Sequence, residues 1–128
     1  MDIEVKNEFN KFKDLPKILP MVKPDIVEGL KEVINITIKA CDCLQIWLFG
    51  SQAKGKAKRN SDVDIYIVIE DDDQDHTETI CNIYTTLLSQ KKLIPIEILM
   101  EYKTNFEYLK DKNSIAGEVI NTGVLIYG

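Results

Sequence analysis

The stretch that most restricts the fold is "DVDIYIVIE", residues 62–70, where Val63, Ile65, Ile67 and Ile69 alternate with Asp62, Asp64, Tyr66, Val68 and Glu70. Two-residue alternation of β-branched and aromatic side chains puts one set on each face of an extended strand. A face made only of valine and isoleucine has to be covered, so this strand belongs to a sheet with a second layer packed on it. Both aspartates point the same way, at the strand's start.

Other segments supply the partners. "LQIWLFG", residues 44–50, is a short apolar and aromatic run that stops at Gly50 and reads as a strand buried on both faces. "IPIEILM", residues 94–100, is a third strand with Ile94, Ile96 and Ile98 on one face and Glu97 on the other; Pro95 favours an edge position or the strand's start. After Pro24, a favourable helix-opening residue, Ile26, Leu30, Val33, Ile34 and Ile38 form one apolar helical stripe. A second stripe, Ile80, Ile83, Tyr84, Leu87 and Leu88, predicts a helix from Thr77 to Leu88. "EYKTNFEYLKD" and "SIAGEVINTG" read as two more, the last ending near Gly123 before "VLIYG". At 128 residues with 45% hydrophobic content, the chain is long enough for one domain. The expected class is α/β (α+β), a small mixed sheet flanked by helices over residues 24–128. Residues 1–23, whose prolines exclude a continuous helix, read as an N-terminal extension that docks or frays.

Several classes are disfavoured. No apolar run approaches the roughly 18 to 20 residues of a membrane helix, and "MDIEVKNEFNKFK" is too charged for a signal peptide, so a cytoplasmic protein with no membrane partner is expected. Cys41, Cys43 and Cys81 with a single His make neither an even disulfide framework nor a zinc set, and read as buried or half-buried thiols. A net charge of -5 argues against general nucleic-acid binding, which depends on neutralising phosphates. Positive charge is nevertheless local: Lys54, Lys56, Lys58 and Arg59 fall within six residues, while Glu70 to Asp75 carries five acids in six. Solvated loops are the ordinary reading of such runs.

Asp62 and Asp64 are costly if nothing binds them. Two residues along one strand face stand about 6.5 to 7 Å apart, where like charges repel by roughly 2.4 kcal/mol at an effective dielectric near 20. An oxygen-rich site without thiolate or imidazole suits Mg²⁺ or Mn²⁺, and magnesium is commonly held by one or two carboxylates plus substrate phosphates. Taken alone, D-x-D is often just the polar opening of a strand, and Gly50-Ser51 just a turn with a cap. If "SQAKG" opens a helix, its free N–H groups also favour a phosphate.

Together, Gly-Ser, ten intervening residues and D-x-D between strands form a more specific pattern. The sequence here resembles the nucleotidyltransferase superfamily that includes DNA polymerase beta, most closely its minimal (MNT-type) members, whose signature is approximately G-S-R-A-R-G, a variable loop, then S-D-[IV]-D-[LI]. The chain has Gly50-Ser51-Gln52-Ala53-Lys54-Gly55 and Ser61-Asp62-Val63-Asp64-Ile65. The likeness runs from about Asp25 to Tyr127, because "AGEVINTGVLIY" also looks like the ending of minimal members. It implies that Gly50, Ser51, Lys54 and Ser61 bind the nucleotide, that Asp62 and Asp64 hold the metal ions, and that Glu97 stands in the place of the family's third carboxylate, usually Asp. The implied reaction is Mg²⁺-dependent transfer of a nucleoside monophosphate, AMP from ATP, to a hydroxyl. The acceptor implied is a tyrosine of a small helical HEPN-type toxin partner, with this chain as antitoxin. Two departures stand against turnover: Glu97 is one methylene longer than Asp, and Gln52 and Lys54 replace arginines that grip phosphate bidentately. They leave open a binding module that neutralises a partner by occlusion. Modification of a small molecule such as an aminoglycoside is disfavoured for want of a second domain, although a homo-oligomer could supply the missing wall.

Overall fold

The computed structural model describes residues 12–59, 61–72, 75–90 and 94–128. In chain order the elements are α1 (Leu15–Ile18), α2 (Pro24–Ala40), β1 (Cys43–Phe49), α3 (Gly50–Ala53), β2 (Val63–Ile69), α4 (His76–Leu88), β3 (Ile96–Tyr102), α5 (Lys103–Leu109), α6 (Ile115–Thr122) and β4 (Val124–Tyr127). The strands form one four-stranded sheet in the order β3-β2-β1-β4. β1 runs antiparallel to both β2 and β4, while β2 and β3 are parallel and joined through α4, so the sheet is mixed.

The alternation of β2 decides the layering. Val63, Ile65, Ile67 and Ile69 are fully buried and share one core with Ile46 and Leu48 of β1, Leu30 and Val33 of α2, and Ile83 and Leu87 of α4. Tyr66 and Val68, on the other face, pack with Phe106 of α5 and Ala116 and Val119 of α6, against the flanks of Trp47, Phe49, Leu99 and Leu109. β1 is therefore covered on both faces, as its unbroken apolar run requires.

Local chemistry sets the helix boundaries. Pro24 opens α2 at a position whose N–H has no helical partner, with Asp25 in the first turn and Lys39 in the last, each at the favourable end of the dipole. The Asp75 carboxylate accepts the Thr77 N–H at 2.9 Å to start α4. Ser114 accepts the Gly117 N–H at 3.1 Å to start α6 and donates its hydroxyl to the Leu109 carbonyl at 2.8 Å, tying the two helices of that face together.

Three expectations need correction. β3 continues through Glu101 and Tyr102, which pair with Val68 and Ile69, so the following helix begins at Lys103 rather than at Glu101. Cys81 is exposed on the outer side of α4, whereas Cys43 is buried and Cys41 half-buried. β3 begins at Ile96, so Ile94 and Pro95 lie ahead of the strand rather than within it, and "VLIYG" supplies the edge strand β4. Pro95 stands immediately ahead of β3, and β3 is an edge strand, as its proline predicts. Of the N-terminal extension, residues 1–11 lie outside the described residues; Leu15, Leu19 and Val22 are buried in the larger core. Among the described residues, no helix is long and apolar enough to cross a membrane.

Candidate active site

Strand direction collects the candidate residues at one end of the sheet. β1 ends where the antiparallel β2 begins, pairing Phe49 with Asp64, and the parallel β3 begins at the same level, pairing Asp64 with Glu97. Gly50 follows β1 with φ +73°, a left-handed conformation that costs an ordinary L-residue roughly 1–2 kcal/mol. A Cβ on Gly50 would also overlap Asp64 Oδ2. Glycine is thus required twice over, for the turn and for the closeness of the aspartate.

Asp64 is half-buried on the Tyr66 and Val68 face. Burial first, then the negative charges of Glu97, Asp62 and Glu118 and a hydrogen bond with Glu97, hold its carboxyl above the usual aspartate range. Asp62, just ahead of β2, and Glu97 are both exposed. The backbone on either side of Glu97 is fixed from α4: the Tyr84 hydroxyl donates to the Ile96 carbonyl at 3.2 Å and accepts the Ile98 N–H at 3.1 Å. A side chain thereby satisfies the polar groups that an edge strand leaves open.

The remaining candidates are dispersed around this point. Ser51 is half-buried in α3, which is a single turn from Gly50 to Ala53; the Lys56 N–H donates to the Ser51 carbonyl at 2.9 Å. So short a turn has little macrodipole, and a phosphate there depends on individual N–H groups and the Ser51 hydroxyl. Lys54 is exposed and reaches Glu118 Oε1 on α6 at 3.4 Å. Ser61 accepts the Lys58 N–H on its Oγ at 2.7 Å and returns its own N–H to the Lys58 carbonyl at 3.0 Å, closing the basic loop. The structure brings Gly50, Asp64 and Glu97 together, keeps Asp62 within electrostatic reach, and stations Lys54 and Ser61 at the margin.

Two contributors escaped the sequence reading. Glu118 acts on Asp64 and binds Lys54, yet in sequence it is an ordinary acid in the first turn of a helix. Tyr84 lies on the apolar stripe of α4, where its spacing points only to the ring. Only the tertiary fold reveals the use of its hydroxyl.

A divalent cation suits the donor set. All the candidate ligands are carboxylate oxygens, and the accumulated negative charge already raises Asp64, a conflict that a bound cation relieves. Among the described residues no three acidic, imidazole or thiol groups are arranged so that they could hold a metal ion.

Comparison with known proteins identifies the group. The model of the family described as "Polymerase beta, Nucleotidyltransferase" matches residues 31–128. The chain belongs to this nucleotidyltransferase family. Two solved structures share the nucleotidyltransferase fold. One is a candidate nucleotidyltransferase from Sulfolobus solfataricus, 15% identical, with a TM-score of 0.53 over 77% of this chain and 76% of that one. The other is a toxin-antitoxin structure with AMP-PNP, 21% identical, with a TM-score of 0.50 over 77% and 72% of the two chains. No curated protein matches in sequence.

Proposed function

We propose that this chain is a divalent-metal-dependent nucleotidyltransferase that moves AMP from ATP to a hydroxyl, the acceptor being a tyrosine on a small helical partner that the chain neutralises as an antitoxin. The observation carrying the proposal is the strand register that sets Asp64 beside Glu97 and under Gly50, in a chain of the nucleotidyltransferase family. The antitoxin role draws on the toxin-antitoxin structure whose fold the chain shares.

In this reading Asp62, Asp64 and Glu97, together with the substrate phosphates, would hold a cation, which would neutralise the triphosphate and make the acceptor oxygen a better nucleophile. Gly50 leaves room for the Asp64 carboxylate to lie against the turn, and Ser51 donates its hydroxyl to a phosphate oxygen. The acceptor hydroxyl gives up its proton to solvent as its oxygen forms a bond to the α-phosphorus and the bond to pyrophosphate breaks. Lys54, released from Glu118, meets the charge that develops on the leaving group. Tyr84 keeps Glu97 level with Asp64 by fixing the backbone around it. Positioning and charge supply most of the acceleration in phosphoryl-type transfers, which lets a domain this small carry the reaction.

Incubation with Mg²⁺ and each nucleoside triphosphate, with and without a candidate small helical partner protein, followed by intact-mass measurement, tests the proposal. The partner should gain the mass of AMP, and Asp64→Asn should lower the rate about a hundredfold or more, as loss of a preorganised electrostatic contact does. An undiminished rate in that variant refutes it. The exposed Glu97 and the Lys54–Glu118 pair favour a second reading, a catalytically weak module acting by occlusion. Under that reading Asp62→Ala and Asp64→Ala still neutralise the partner.

A further inference from the structure

A cavity of about 240 Å³ opens on the side of the sheet covered by α2, away from the face that carries Asp64. Its ionisable lining is Lys23, Lys58 and Arg59 against Asp25, three cations to one carboxylate in a chain whose net charge is -5. None of the three cations forms an ion pair among the described residues. Positive charge left unpaired around a concavity attracts an anion.

The neutral part of the lining has the same polarity. α2 is 17 residues long, and its N-cap, Lys23, makes no side-chain capping bond. Pro24 has no N–H and the Val27 N–H is taken by the Lys23 carbonyl at 3.0 Å, which leaves the N–H groups of Asp25 and Ile26 at the positive end of the helix, where both residues line the cavity. Gln52 supplies an independent sign. It is only 6% exposed, it lines the cavity, and its side-chain amide makes no hydrogen bond among the described residues. The amide borders the cavity, where an oxygen of a ligand would accept from its N–H₂.

Cations, helix N–H groups and an amide N–H₂ together present many donors and few acceptors, which matches the several oxygens of a phosphate. The volume is small beside the roughly 300–1,000 Å³ of most small-molecule pockets. It therefore suits a compact phosphate or the phosphorylated end of a longer molecule rather than a whole nucleoside triphosphate. We infer that this cavity is a metal-independent binding site for a terminal phosphate, separate from the carboxylate face of the sheet. The inference does not rest on the reaction proposed above, since neither a metal ion nor a triphosphate takes part.

Titration of the full chain with inorganic phosphate and with AMP, in excess chelator, followed by amide resonances in NMR, tests it. Saturable shifts are expected at the backbone amides of Asp25 and Ile26 and at the Gln52 side-chain amide. AMP saturating well below phosphate identifies a phosphorylated molecule as the ligand, and equal saturation identifies the free ion. Arg59→Ala, at an exposed position with no structural burden, should weaken binding about tenfold, the scale of one charge-assisted contact; Gln52→Leu should do the same where it folds. Shifts that do not saturate at millimolar ligand, that centre on Ser51 and Asp64, or that are unchanged in Arg59→Ala overturn the inference.

Discussion

Asp64 is a half-buried carboxylate with Glu97 and Asp62 nearby and the Cα of Gly50 against it. Burial and those charges raise its folded-state pKa above the ordinary value, so the folded chain holds that proton more tightly than the unfolded chain. Its stabilising contribution is complete below the ordinary aspartate range and is lost as pH rises through the elevated folded value. In chelator, the melting temperature of the wild type should fall across that window, whereas Asp64→Asn should stay flatter and melt a few degrees higher at neutral pH. Mg²⁺ should then raise the wild type and leave the variant unmoved. Thermal unfolding over a pH series checks both statements, and a variant that melts lower than wild type in chelator at neutral pH contradicts them. At this scale the sequence was informative wherever the signal is local. Gly50, Asp62 and Asp64 lie within fifteen residues, and Glu97 is the one acid in the apolar run "IPIEILM". Glu118 was not legible, because an exposed acid in a helix's first turn gives no hint that a lysine 64 positions earlier faces it.

The elements were legible in proportion to their periodicity. α2, α4, β1 and β2 follow from stripes and alternation, and Pro95, which favours an edge position or a strand's start, stands just ahead of the edge strand β3. The far end of β3 was misplaced because Glu101 and Tyr102 are as suited to a helix start as to a strand, and only pairing with β2 decides between them. β4 is four residues with no alternation long enough to register, and its role as an edge depends on β1 lying beside it. The near end of β3 depends in turn on α4. Tyr84→Phe removes the hydroxyl that both accepts the Ile98 N–H and donates to the Ile96 carbonyl while keeping the ring in place. It should cost about 1–2 kcal/mol, the net value of two part-buried hydrogen bonds. It should also speed hydrogen exchange at the Ile98 amide while the amides of β1 keep their protection. Exchange at Ile98 indistinguishable from wild type would show that the strand end is held without Tyr84.

On the scale of the whole molecule, the family match begins at residue 31, inside α2, but the core does not begin there. Leu15 and Leu19 are 2% and 1% exposed and lie in the same cluster as Leu30, Ile46 and Ile67, and Phe12 sets its ring edge-on to Tyr127 of β4 at 5.3 Å. Prolines at 16, 20 and 24 obscured this in the sequence: they rule out a long amphipathic helix, the pattern by which a docked segment is usually noticed. What remains is a four-residue helix and a turn that still bury three apolar side chains. An appended segment and an integral one make different demands on Leu19. If it only rested on the surface, Leu19→Ala would fall within about 0.5 kcal/mol of wild type, as exposed substitutions do. As a fully buried side chain it should cost about 2–5 kcal/mol, in a single unfolding transition shared by the entire domain. Urea denaturation followed by both tryptophan fluorescence and far-ultraviolet circular dichroism separates the two. Trp47 lies on β1, across the sheet from the larger core, so a loss of stability at Leu19 that reaches Trp47 with coincident midpoints marks residues 12–23 as part of the cooperative fold.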